Sequence, residues 1–243
     1  MTPHMDSETV LSALREGEIT MQGEFVWGSN YTFLAEVRYT DTTLAAVYKP
    51  SRGQRPLWDF ASSTLAHREA AAYLVSQSLG WDLVPPTVYR RRGPAGAGSL
   101  QLFVEHDPEY HYFNMTAEDR QRLRPVALFD LLINNADRKG SHILLAPDGH
   151  LWLIDHGLCF HEEDKLRTVI WDFTGEPVPE ELLADLRKFR QVLDYSPEDS
   201  AGLHMHLSQE EIFALANRAE ALLVSKHYPD PPEDRRAYPW PPV

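Results

Sequence analysis

The stretch that most constrains this chain is Asn134–Phe160, NNADRKGSHILLAPDGHLWLIDHGLCF. It places Asp137 in a polar loop just after an apolar run that reads as a helix. Two short apolar runs follow, Ile143–Leu145 and Leu151–Ile154, joined by Pro147-Asp148-Gly149-His150, which is a β-hairpin signal. Asp155 stands immediately beyond the second run. A loop, a hairpin and a second loop bring two carboxylates to one mouth. Phosphoryl transfer needs such a pair: one carboxylate orients the accepting hydroxyl and takes its proton, and the other holds Mg²⁺ against the phosphates. Arg138 and Lys139 add positive charge where phosphate charge develops. Taken singly, Asp137 reads as a turn residue and Asp155 as a cap. The spacing, with apolar strands between them, favours the paired reading.

The front half supplies matching parts. Phe25–Trp27 and Thr32–Arg38 read as strands around the turn Gly28-Ser29-Asn30, whose N–H groups could cover phosphates. Leu44–Tyr48 is an apolar run closed by Lys49-Pro50, so Lys49 sits at a strand end, where it can reach the α- and β-phosphates of a nucleotide. Leu65–Leu79 has helical apolar spacing and stops at Gly80, and its Glu69 could hold Lys49 in an ion pair. Pro86–Tyr89 and Leu100–Val104 read as two more strands. The second leads into the back half, so Phe103, Val104 and Glu105 form the expected hinge and adenine contact.

Behind them, Thr116–Asn134 reads as mostly helical, with Thr116 as N-cap and Pro125 kinking or splitting it. Pro179–Leu193 and Ser208–Lys226 read as helices. The order of elements predicts an α+β, protein-kinase-like two-lobed fold in a single domain. Its expected parts are a strand-rich N-lobe with one helix (1–104), a helical C-lobe (105–227) and a Pro-rich tail (228–243). The tail is either mobile or packs Tyr238 and Trp240 against the body. In the segment 164–180, Trp171-Asp172-Phe173 reads as packing rather than recognition surface.

Composition narrows the function classes. The 243 residues carry a formal net charge of −13, which argues against nucleic acid or anionic membrane as a partner. The basic clusters Arg90–Arg92 and Lys165/Arg167 read as solvated loops. A single cysteine, Cys159, excludes an intramolecular disulfide. No run of about 18 apolar residues occurs and no targeting segment opens the chain, so the expected address is the cytoplasm. Peripheral membrane contact is allowed but not favoured. A rival for the centre is a transition-metal site built from His142, His156, His161 and Cys159, although no closed four-ligand spacing stands out.

The motifs YKP, REAAAYLVSQSLGWDLVPPT, GSLQLFVE, FDLLINNADR and LIDHGLCF run in the order found in type II phosphatidylinositol 4-kinases. The chain also resembles small actinobacterial-type proteins of the phosphatidylinositol 3-/4-kinase-like family, from about Val47 to Phe160. The resemblance implies ATP with Mg²⁺ (or Mn²⁺) as cofactors and a hydroxyl acceptor: protein, small molecule or lipid. It implies Lys49 on the ATP phosphates, Glu69 supporting it, Phe103–Glu105 as hinge, Asp137 as catalytic carboxylate and Asp155 as metal ligand. Two features depart from the family pattern. The metal-binding Asn five residues after the catalytic Asp is His142 here, an imidazole better suited to Mn²⁺ or Zn²⁺ than to Mg²⁺, and His142 with Asp155 is expected to hold the metal. The cysteine-rich membrane-anchoring segment of the eukaryotic enzymes is absent. The alternatives are a nucleotide-binding pseudokinase and AMP transfer on the same fold.

Overall fold

The computed structural model describes residues 6–24, 31–52, 54, 59–60, 62–194 and 202–243. The expected strand Phe25–Trp27 and the turn Gly28-Ser29-Asn30 lie outside them. The first described element is a helix, α1 (Ser7–Glu16), which the reading of one helix in the front half does not anticipate. Its start is fixed by Asp6, whose carboxylate accepts from the Thr9 N–H at 2.9 Å, and it buries Val10, Ala13 and Leu14. Its apolar positions Val10, Leu11, Ala13 and Leu14 stand at helical spacing, a signal the sequence reading passed over.

Five antiparallel strands follow: β1 (Glu18–Glu24), β2 (Phe33–Tyr39), β3 (Thr42–Pro50), β4 (Thr87–Arg90) and β5 (Gly98–Leu102), in the spatial order β1-β2-β3-β5-β4. Ala35, Val37, Leu44, Ala46, Tyr48 and Leu100 form its buried face with α1. Lys49 pairs with Ser99 and Pro50 with Gly98 across β3–β5. A Cβ at Gly98 would come within 2.4 Å of the Lys49 carbonyl, so only glycine lets β5 close against the end of β3.

Helix α2 (Leu65–Leu79) is buried on most of its circumference, which explains its run Ala70-Ala71-Ala72. It touches β4 and β5 on one side and contributes Ala71, Val75 and Leu79 to the second core on the other. It ends on Gly80 in the left-handed conformation, as expected.

That second core belongs to the back half. Thr116 caps α3 (Ala117–Gln121), and α4 (Arg124–Ile133) restarts with Pro125 in its first turn, so the proline splits the expected helix where its missing N–H costs nothing. The hairpin β6 (Ile143–Leu145) and β7 (Leu151–Leu153) falls on the predicted runs. Helices α5 (Glu180–Asp194) and α6 (Gln209–Ser225) complete it, the latter opened by a Ser208–Glu211 capping box. Leu128, Phe129, Leu132, Phe160, Phe189 and Leu215 are fully buried there. Truncating a side chain such as Phe129 to alanine costs about 3–5 kcal/mol in a packed core. No helix among the described residues is long and apolar enough to cross a membrane.

Candidate active site

Lys49 ends the buried stretch of β3 and points at α2, where Glu69 Oε1 lies 2.6 Å from its ammonium. On the other side Asp155 Oδ1, just past β7, lies 2.8 Å away. One cation from the sheet thus joins two carboxylates from elements 20 and 106 residues away in sequence. Burial alone would lower the Lys49 pKa, but Asp155 and Glu69 outweigh it and hold the ammonium charged. Lys49 in turn pulls the Asp155 carboxyl well below the usual range. Glu69 Oε2 also accepts from the His156 N–H at 3.1 Å, so α2 is tied to the loop after β7.

Asp155 adopts φ +66, in the left-handed region that aspartate tolerates better than most residues. Its side chain is 51 % exposed, so the carboxylate faces both Lys49 and solvent. His142, from the short turn before β6, places Nε2 3.2 Å from Asp155 Oδ2. The His142 Nδ1 accepts a long hydrogen bond from the Lys139 N–H at 3.4 Å, which leaves the ring proton on Nε2, facing the carboxylate. Burial lowers the His142 pKa to about 4, so the ring is neutral at pH 7.

Asp137 lies in the loop after α4, its own N–H held by Asn135 Oδ1 at 3.0 Å. Its carboxyl is partly buried, and burial raises its pKa to about 6, against the opposing pull of Lys139. The Lys139 ammonium is 3.7 Å from Asp137 Oδ2. Gly140 follows, in a crevice where a Cβ would meet the Phe113 ring at 2.9 Å.

Arg138 corrects the expectation that it faces the transferring phosphate. It is wholly buried. Its Nε donates to both Asp130 oxygens at 3.1 Å, Nη1 to the Ile154 and His142 carbonyls, and Nη2 to His156 Nε2 at 2.9 Å. No donor is left for a ligand. Asp130, on α4, also accepts from Asn135 Nδ2 and Thr168 Oγ1. This hub knits the helix, the catalytic-type loop and the hairpin exit together. Sequence reasoning passed over Asp130, although a lone carboxylate inside RPVALFDLLI signals a buried partner.

The rival transition-metal reading does not survive. Among the described residues no group of three or more His, Cys, Asp or Glu could hold a metal ion. His156 is occupied by Arg138, and burial pushes the Cys159 thiol well above its ordinary pKa, away from a ligating thiolate. For Mg²⁺ the donor set fits in another way, since that ion binds through one or two carboxylates plus phosphate oxygens and water. Asp155 offers one half-exposed carboxylate of that kind.

The segment expected to be the hinge leaves β5 with the Phe103 N–H donating to the Ala45 carbonyl at 3.0 Å. The N–H groups of Val104 and Glu105 have no protein partner among the described residues. The tail corrects its own expectation. It packs by Ala237 and Pro239, while Tyr238 and Trp240 are exposed. Arg235 donates to the Leu166 carbonyl, the Ala237 carbonyl accepts from Thr168, and the Pro242 carbonyl accepts from the Gly140 N–H at 2.8 Å. The tail therefore runs along the segment after Asp155 and reaches the loop that carries Asp137. Phe173 is buried and Asp172 accepts from the Tyr112 hydroxyl, as a packing role requires.

Comparison with known proteins bears on the fold and the family. Protein Rv2133c of Mycobacterium tuberculosis is 42 % identical over 99 % of this chain and 97 % of its own length. Phosphatidylinositol 4-kinase gamma 4 of Oryza sativa subsp. japonica is 34 % identical over 44 % of this chain, a match spanning only 22 % of that protein. Among solved structures, hydra Fam20 with sugar superposes with a TM-score of 0.59 at 14 % identity, covering 93 % of this chain and 89 % of that one. The Helicobacter pylori proinflammatory kinase CtkA gives 0.52 at 13 % identity, covering 88 % and 94 %. These likenesses show a protein-kinase-like fold. The model of the phosphatidylinositol 3- and 4-kinase family matches residues 60–214, and the chain belongs to that family.

Proposed function

We propose that the protein is an ATP-dependent phosphotransferase that moves the γ-phosphate to a hydroxyl acceptor. Family membership and fold support phosphotransfer in general terms. The observation that carries the specific reading is the Lys49–Glu69–Asp155 cluster beside an Asp137 poised near neutrality.

In this reading Glu69 holds the Lys49 ammonium where it can exchange its bond to Asp155 for phosphate oxygens. Asp155 would hold the divalent cation, and His142, hydrogen-bonded to it, orients the carboxylate. A bound Mg²⁺ or Mn²⁺ supplies neutralisation of charge on the β- and γ-phosphates. The Asp137 carboxylate, ionised above pH about 6, accepts the proton of the attacking hydroxyl, and Lys139 stands beside it to meet phosphate charge. The Val104 and Glu105 N–H groups are available to adenine. Arg138 works at one remove, by fixing the loop that bears Asp137.

The test has two parts. Melting temperature is measured with ATP and Mg²⁺ or Mn²⁺ on wild type and Asp155→Ala. A ligand at 100 times its Kd adds about 2.7 kcal/mol, and Asp155→Ala should abolish that metal-dependent shift. Labelled phosphate transfer to a fractionated acceptor pool is then compared with Asp137→Ala, where a loss of about 10²–10⁴-fold is expected. A shift without any turnover would identify a nucleotide-binding regulatory module, and a mass increment of AMP would identify nucleotidyl transfer.

A further inference from the structure

With Arg138 fully engaged in the core, a different arginine stands beside Asp137. Arg167, expected from sequence to be a solvated loop charge, lies in a segment that pairs with the Asp137 loop. Its N–H donates to the Asn135 carbonyl at 2.9 Å, and its carbonyl accepts from the Arg138 N–H at 3.0 Å. A parallel bridge between Arg138 and Thr168 continues the pairing. The side chain follows the backbone: its Nε donates to the Ala136 carbonyl at 2.7 Å, one residue before Asp137.

That bond anchors the guanidinium and leaves its outer edge unengaged. Among the described residues neither Nη has a hydrogen-bond or ion-pair partner, and neither is closed off from solvent. Burial raises the Asp137 pKa, and Lys139 and then Arg167 oppose it, so both cations act on that carboxyl. A half-buried cation without a carboxylate partner carries a desolvation cost that a bound anion would offset. Two Nη groups in one plane form a fork that fits phosphate oxygens. A base that takes the proton of the attacking hydroxyl must stand next to the γ-phosphorus, and Arg167 is fixed one residue from that base.

We propose that Arg167 is a catalytic residue of the transfer, its two Nη groups meeting oxygens of the γ-phosphoryl group as it passes to the acceptor. This rests on the phosphotransfer reading. In the step the acceptor oxygen bonds to the γ-phosphorus and its proton passes to the Asp137 carboxylate. The bond from that phosphorus to the β,γ-bridging oxygen breaks, and its electron pair leaves with ADP. Between these states charge spreads over the three equatorial oxygens, where preorganised donors stabilise it most.

The first test needs no identified acceptor. Melting temperature of the whole protein is measured with ADP and Mg²⁺, and again with added tetrafluoroaluminate, which stands in for the transferring phosphoryl group. The proteins are wild type, Arg167→Gln, Arg167→Lys and Arg187→Gln, the last removing the same charge from an exposed position on α5. Tetrafluoroaluminate should add a further shift in wild type and Arg187→Gln. Arg167→Gln should keep the ADP shift and lose the further one. Arg167→Lys should keep part of it, because an ammonium supplies charge without the fork. In labelled transfer to the acceptor pool, Arg167→Gln should lower kcat about 10²–10³-fold with the KM for ATP unchanged. A full tetrafluoroaluminate shift in Arg167→Gln, or a loss confined to the KM of the acceptor, overturns the proposal. Equal losses in the Gln and Lys variants would trace to the missing Ala136 bond and overturn it too, as would loss of the ADP shift. Failure of wild type to bind ADP with Mg²⁺ is a separate result: it sinks the phosphotransfer reading itself, and this assignment with it.

Discussion

Two cation–carboxylate assemblies lie on either side of the loop that follows β7, and they are built oppositely. Around Lys49, one ammonium meets two carboxylates, of which Asp155 is half exposed and its bond open to exchange. Around Arg138, one guanidinium has all its donors engaged, and both it and Asp130 are fully shielded from water. The same pair of charge types can therefore serve as a socket or as a rivet. Which one it becomes is decided by desolvation and by whether any donor remains unspent.

The sharpest way to break this contrast is Arg138→Met. It leaves Asp130 buried without its cation, which should cost about 3–5 kcal/mol of unfolding free energy in a denaturant titration. Asp130→Leu combined with it should recover part of that loss. If Arg138→Met unfolds like wild type, the rivet description fails. Lys49→Met should act the other way round. Phosphotransfer should fall about 10²–10³-fold, the usual cost of one preorganised donor. Its stability loss should be smaller than that of Arg138→Met, because Asp155 can rehydrate and the buried Glu69 keeps its bond from the His156 N–H.

Protonation sharpens the comparison further. Burial raises the Asp137 carboxyl from its ordinary pKa of 3.8 to about 6, so its folded form holds the proton more tightly than the unfolded chain. Turnover should fall about tenfold per unit below pH 6 as the base is lost. Its ionised form lowers stability as pH rises from about 4 to 6. Asp137→Asn should therefore melt higher than wild type at pH 7.5, and the gain should shrink towards pH 4. A variant that melts lower at pH 7.5 would refute the buried-base assignment. The smallest effect is expected from His142→Asn. If His142 orients Asp155 rather than binding metal, Mg²⁺-supported rates should change less than about tenfold, because an amide N–H can keep the hydrogen bond. A larger loss would make the imidazole itself a ligand.

The sequence was legible where geometry is local. The β6–β7 hairpin follows from alternating apolar runs around Pro147–His150, and Gly80, Thr116 and Ser208 mark helix ends by chemistry a reader can see. Lys49 and Asp155 stand beside strand ends and Asp137 just past α4, while Glu69 lies in the second turn of α2, where motif order pointed to it. What escaped depended on distant burial. Arg138 looks identical in sequence to a phosphate-binding arginine, and only the partnership with Asp130, eight residues earlier on an apolar helix, turns it inward. The tail was misread for the same reason. The expected alternatives were a mobile tail or one packed by Tyr238 and Trp240, whereas Ala237 and Pro239 are buried and the two aromatic rings are exposed.

The hydrogen bond from Gly140 to the Pro242 carbonyl also has a consequence in time. Its two ends are about a hundred residues apart, so a ribosome adding roughly 5–20 residues per second makes the second about 5–20 s after the first. Through that interval the nascent chain already contains Lys49, Asp137 and Asp155, yet the loop bearing Asp137 has not received its last tie. Synthesis itself thus orders the assembly: Lys49, Asp137 and Asp155 emerge first, and the stretch of tail that ties the Asp137 loop follows them.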